Sequence, residues 1–198
     1  MNDELEGDFA TRGSAIFSRD GRYRYRLTRQ WRRSRSAPLT FILLNPSTAD
    51  ATRDDPTIRR CVGFAKARGY CAMTVVNLFT LRSTDPSGLY LAGDPVGPRG
   101  DAHIERAIAD SAEVIVGWGA HGDLLNRGKA VMDRFRDCNL LAFGLTRNRQ
   151  PRHPLYLPNS APIFSLRALL DQILAADFEN GCQLSGSSTT RYTVPSGN

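Results

Sequence analysis

The sequence predicts an α/β fold, a three-layer α/β/α arrangement around a central four-stranded, mainly parallel sheet, preceded by a β-hairpin. Three observations carry this. From residue 39 onward, short apolar runs alternate with helix-length amphipathic segments, the pattern of strand–helix–strand crossovers. Residues 39–44 are almost continuously apolar, as a strand covered on both faces must be. Residues 14–31 alternate basic with aromatic or apolar side chains beyond Asp20-Gly21, a pair suited to a tight hairpin turn.

The elements follow in chain order. The hairpin places Tyr23, Tyr25 and Leu27 on one face and Arg22, Arg24 and Arg26 on the other, because strand side chains alternate. The strand at 39–44 ends at Asn45-Pro46, and an acidic loop with Asp50, Asp54 and Asp55 follows. Pro56 opens a helix at about 56–68 and Gly69 closes it. A second strand at 72–77 runs into a Gly/Pro-rich loop at 83–100, then a helix at 101–110 and a third strand at 113–118. A helix at 121–136, a fourth strand at 139–143 and an amphipathic helix at 165–176 complete the pattern. The polar stretch 1–13 and the aperiodic stretch 177–198 are expected to be flexible ends around a single domain at 14–176.

The net charge is +6, and Lys66 and Lys129 are the only lysines, so the basic character is arginine. Eight arginines fall between residues 19 and 35. Planar guanidinium forks suit phosphate oxygens and stack on bases, which favours a nucleic-acid partner. No apolar run reaches the roughly 20 residues of a membrane helix, and the start MNDELEGD lacks the pattern of a secretory leader. A cytoplasmic, monomeric protein without membrane association is expected. Cys61, Cys71, Cys138 and Cys182 form no C-x2-C pair and the three histidines no ligand pattern, so neither metal nor cofactor is expected.

Four segments carry the chemistry: LLNPSTAD at 43–50, VVNLFTLRS at 75–83, VIVGWGAHG at 114–122 and RQPRHPLYLP at 149–158. Three end strand-like runs with a polar or aromatic group, and the fourth puts His153-Pro154 in a basic loop. The carboxyl ends of parallel strands are where open α/β sheets bind ligands. These residue types in this order suggest a pocket for a nucleobase. Asn77 offers the amide donor and acceptor that read a pyrimidine edge, and a neutral His153 can donate to an anionic leaving base. The acids Asp50, Asp54 and Asp55 are candidates to assist an attacking water.

The order of these segments resembles the uracil-DNA glycosylase superfamily over about residues 38–160. LLNPS is similar to that family's Asn-Pro first motif, VVNLF to the strand ending in Asn, VIVGWG to its LLWGS element and RHPLYLP to its His-Pro motif. The resemblance implies that Asn45 and His153 are catalytic, Asn45 orienting water, and that Asn77, Pro46, Ser47 and Trp118 bind the base. It implies a DNA partner, single- or double-stranded, with the base flipped out. Arg147, Arg149 and Arg152, with Arg22, Arg24 and Arg26, would then contact the DNA backbone. The implied activity is hydrolysis of the N-glycosidic bond of a damaged or modified base; no lysine lies in the site motifs, so no lyase step is expected. The sequence departs from the family at Leu155, where a Ser follows His-Pro, and at Ser47, where uracil-specific members carry an aromatic residue. A non-catalytic base-binding module is the alternative. LLNPSTAD and VNLF also resemble an uncharacterised bacterial domain family, which implies no activity.

Overall fold

The computed structural model describes residues 11–185, with side chains through 177. Expectations for 1–10 and 186–198 lie outside the described residues. The strands are β1 (Arg12–Phe17), β2 (Arg24–Gln30), β3 (Leu39–Leu43), β4 (Ala72–Asn77), β5 (Glu113–Val116), β6 (Leu140–Ala142) and β7 (Phe164–Ser165). The α-helices are α1 (Pro56–Ala67), α2 (Ser87–Leu91), α3 (Gly100–Ala109), α4 (Arg127–Arg134) and α5 (Leu166–Ser185). Strand β1 thus begins inside the stretch expected to be flexible, and α5 extends past its expected end.

All seven strands join one mixed sheet in the order β1-β2-β4-β3-β5-β6-β7, larger than the four strands expected. Strand β3 pairs in parallel with β4 and β5, and β5 with β6, while β2 and β7 attach antiparallel at the two flanks. The hairpin therefore extends the main sheet instead of standing apart from it. Helices cover both faces. On one, Phe41, Leu43, Val75 and Ile115 pack against Ile58, Cys61 and Phe64 of α1. On the other, Ile42, Val76 and Val116 pack with Ile104 of α3, Val131 of α4 and Leu166 of α5. Alternation along doubly covered strands requires this division of apolar side chains.

The hairpin departs from the expected alternation at one residue. Phe17 pairs with Arg24 and Ile16 with Arg26, so Tyr25 is an extra residue in β2. Such a bulge reverses the facing of everything on one side of it. Leu27 consequently joins the α1-side core, whereas Tyr25 stacks on His103 of α3 with ring centroids 5.0 Å apart. Arg24 is left 2% exposed, in the interior.

The segment expected as one helix at 121–136 is a 3-10 turn (Ala120–Asn126) followed by α4. Leu125 and Asn126 between them take left-handed φ values of 54° and 55°. The close approach of this turn to Trp118 sets the geometry: a Cβ on Gly122 would lie 1.9 Å from the Trp118 ring.

Candidate functional site

A cleft of about 570 Å³ opens at the carboxyl ends of the parallel strands. Its walls come from the loop after β3, the start of α1, residues 83–86, the turn after β5 and the loop after β6. Asn45, Ser47, Asp55, Trp118, Arg152 and His153 are among the residues that line it. Segments distant in sequence thus converge where open α/β sheets place ligands.

Asp55 owes its position to helix capping. Its Oδ1 accepts the Ile58 amide at 2.9 Å at the head of α1, with Pro56 next in sequence, the arrangement that satisfies an otherwise orphaned N–H. The residue is 8% exposed and lines the cleft, and Oδ2 meets no protein donor among the described residues. The other acids of the loop serve structure. Asp50 accepts the amides of Thr52 and Arg53, both at 2.8 Å. Asp54 pairs with Arg29 at 2.7 Å. Arg29, 3% exposed, also donates to the Asp50 and Arg53 carbonyls at 2.6 and 3.2 Å, pinning the acidic loop to β2.

His153 precedes a short 3-10 turn (Pro154–Tyr156), and its Nδ1 accepts the Leu155 amide at 3.3 Å. That bond places the proton of the neutral ring on Nε2. Burial pushes the imidazole down to about 4, with the Asp55 carboxylate opposing the shift, so the ring is neutral near pH 7. The loop carrying it is held by Gly119 N–H to the Pro151 carbonyl at 2.8 Å and Arg152 N–H to the Gly144 carbonyl at 3.0 Å.

Asn45 lines the cleft, but both amide hydrogens are committed, to the Pro46 carbonyl at 3.0 Å and the Ser83 carbonyl at 2.8 Å. Only its Oδ1 remains to meet a ligand. Pro46 is buried behind it, whereas Ser47 faces the cleft. Trp118 is 1% exposed and donates to Gln150 Oε1 at 2.7 Å, so it forms a fixed wall instead of a stacking surface.

Asn77 is placed elsewhere. It is 2% exposed, on the α1 side of β4, and its Oδ1 accepts from Arg24 Nη2 at 3.4 Å. Arg24 also donates to the Ala49 carbonyl at 3.0 Å beneath the loop after β3, and burial pushes its guanidinium down to about 10. Arg24 Nε and Asn77 Nδ2 are enclosed without a hydrogen-bond partner among the described residues. Asn77 is therefore not among the residues lining the cleft, and Arg24 leaves the set of backbone-contact arginines because the Tyr25 bulge turns it inward.

Of the remaining arginines, Arg152 stands at the cleft rim and Arg147 is exposed. Arg149 pairs with Asp177 at 2.6 Å. Arg22 lies over the Tyr23 ring, 5.7 Å from its centroid. Arg26 is half-buried on the α3 side.

Two features were not singled out from sequence. Tyr156 lines the cleft at 82% exposure with its ring 6.1 Å from His153. His121 lines the opposite rim and bonds the Tyr90 hydroxyl at 3.1 Å. For Asp55 the usable signal is Asp-Pro before a helix, which marks a cap and fixes where the carboxylate stands. Among the described residues no cluster of His, Cys, Asp or Glu is placed to hold a metal ion, and no helix is long and apolar enough to cross a membrane.

The fold and cleft thus define a mixed α/β protein with an open cleft at the carboxyl ends of its parallel strands. The chain belongs to the family described as "Protein of unknown function (DUF1643)", whose model matches residues 24–155. That span runs from the buried Arg24 through His153 and so contains nearly all of the cleft. No curated protein matches the chain.

Proposed function

We propose that the cleft receives a nucleobase from a nucleic-acid strand and that the protein hydrolyses the N-glycosidic bond of a damaged or modified base in DNA, in the manner of the uracil-DNA glycosylase superfamily. The observation that carries this reading is the pairing of Asp55, a sequestered carboxylate, with His153, a neutral imidazole, on one cleft. Cleavage of a base–sugar bond builds positive charge on the sugar and negative charge on the departing base. The Asp55 carboxylate stabilises the first and orients a water; the His153 Nε2–H donates to the second. Water adds its oxygen to the sugar carbon as the carbon–nitrogen bond breaks, and the bond's electron pair leaves with the base. The water's proton passes to Asp55 and then to the released base. Asn45 supports this through Oδ1, as an acceptor for the water, and Arg152 meets backbone phosphate. Tyr156 supplies an exposed ring for stacking beside the cleft.

A second reading, a binding module without chemistry, draws support from the committed amide hydrogens of Asn45 and from Asn77, which does not line the cleft. Base release separates the two. Oligonucleotides carrying uracil, hypoxanthine, xanthine, ethenocytosine or hypermodified pyrimidines, single- and double-stranded, are scored for abasic sites by alkaline cleavage.

A further inference from the structure

Outside the cleft, the α3 side of β2 carries a second basic site built on aromatic rings. Tyr23, Tyr25 and His103 form one stack, with centroids 6.3 Å apart between the tyrosines and 5.0 Å between Tyr25 and His103. The tyrosine rings are buried, so they offer no face to a base. They hold cations instead: Arg22 lies 5.7 Å from the Tyr23 centroid and Arg99 5.6 Å from that of Tyr25. A guanidinium resting on a ring loses part of its freedom before any ligand arrives.

Asp20, whose carboxylate accepts from Ser18 and from the Arg22 amide, is the one acid whose charge couples to this group of arginines among the described residues. Burial lowers the basicity of His103, and the Arg99 and Arg26 cations beside it push in the same direction. The acids of α3 and its end are engaged elsewhere: Asp101 with Arg127, Glu105 with Arg134 and Asp110 with Arg106. Arg22, Arg26 and Arg99 make no ion pair among the described residues. Arg26 Nε and His103 Nε2 are enclosed and without a hydrogen-bond partner among the described residues, so what these two side chains offer a ligand is their remaining, outer nitrogens.

We infer that Arg22, Arg26, Arg99 and His103 form a docking surface for the phosphodiester backbone of a single nucleic-acid strand. Guanidiniums laid over successive rings present charge at repeated positions, which suits a polymer with a phosphate on every unit better than one small anion. The bulge at Tyr25 creates the surface, since it sends Arg24 inward and leaves Tyr25 and Arg26 together on the α3 side. The inference rests on the nucleic-acid reading of the cleft but uses none of its residues.

The test is fluorescence anisotropy with a labelled single strand, an abasic strand of the same length and inorganic tripolyphosphate, each titrated over a range of salt. The proteins are the full chain, R99Q, R26Q/R99Q and the charge-retaining R99K, each checked for fold by circular dichroism. The expected result is a log Kd against log salt slope that falls by about 0.7 per lost contact, equally on intact and abasic strands, with R99K near wild type. A wild-type slope for the double variant on both strands overturns the inference, as does an effect confined to tripolyphosphate. Intact and abasic strands binding equally to wild type would sink the base-binding reading of the cleft while leaving this surface standing. No strand binding by wild type sinks both.

Discussion

The Arg24 guanidinium donates to the Asn77 side-chain oxygen at 3.4 Å in the interior, joining β2 to the end of β4 beneath the loop that carries Asn45. Both residues are 2% exposed, and no carboxylate pairs directly with the cation among the described residues. The contact is structural, and it defines the ground on which the cleft is built.

Removing Asn77 leaves the buried Arg24 with only its bond to the Ala49 carbonyl, and removing Arg24 leaves the buried Asn77 side chain without a partner. Asn77→Ala is expected to destabilise by about 2–3 kcal/mol in urea unfolding, and Arg24→Met by a similar amount. The double variant should cost clearly less than the two added together, because neither side chain then strands the other; the Ala49 carbonyl loses Arg24 in both the Arg24 single and the double variant. Strict additivity would show that the two side chains act independently.

Arg29 anchors the acidic loop through Asp54 and two carbonyls. Lysine keeps the charge but lacks the planar fork that reaches several acceptors at once. Arg29→Lys should therefore lose about 1–3 kcal/mol and expose the loop to faster tryptic cleavage after Arg53. Unchanged cleavage kinetics would show that the loop holds its shape without the fork.

Trp118 has no room to move. Because a Cβ on Gly122 would meet its ring at 1.9 Å, Gly122→Ala should cost about 1–3 kcal/mol or more and change tryptophan emission. Trp118→Phe removes the bond to Gln150 at 2.7 Å and should cost at least 1 kcal/mol from the orphaned amide alone.

His153 gives a pH prediction with a definite sign. Its folded value, about 4, lies below the ordinary 6.5, so between these limits the unfolded chain binds the extra proton. Stability should fall as pH drops through that window, by on the order of 2–3 kcal/mol, and be complete above it. His153→Gln should flatten this dependence. Base release should likewise show no inflection near pH 6.5 from this residue.

The strand and helix pattern from residue 39 onward was legible because doubly covered strands and one-sided helices have different periods. Asp20-Gly21 marked where the hairpin turns, but the tight two-residue turn expected there is a wider loop between Phe17 and Arg24, in which Gly21 and not Asp20 takes a positive φ, 70°. The Tyr25 bulge was not legible: an extra residue leaves no mark in composition, and its register is set by β1 and by the packing of His103. The fate of Arg24 followed from that slip, whereas Asn77 faces the α1 side by the plain alternation of β4 after Met73 and Val75. The break at Leu124–Asn126 was hidden too, since Leu and Asn are unremarkable in a helix and only contact with Trp118 imposes the turn. Strand β7, two residues long, is too short for any periodicity. Asn45 and His153 share the cleft because both end or follow parallel strands, which sequence order conveys. Asp55 was visible as one of three acids, but its role as cap, which singles it out, depends on where α1 begins.

The most direct measurement is abasic-site formation by wild type, Asp55→Asn and His153→Ala on the damaged-base panel. Asparagine still caps α1, so Asp55→Asn keeps the fold while removing the carboxylate charge. Wild type should release the base from at least one substrate, and release should slow about 10²–10⁴-fold in Asp55→Asn and about 10²–10³-fold in His153→Ala. Release that survives both substitutions, or none from any substrate by a protein that binds the same strands, would contradict the proposed hydrolysis.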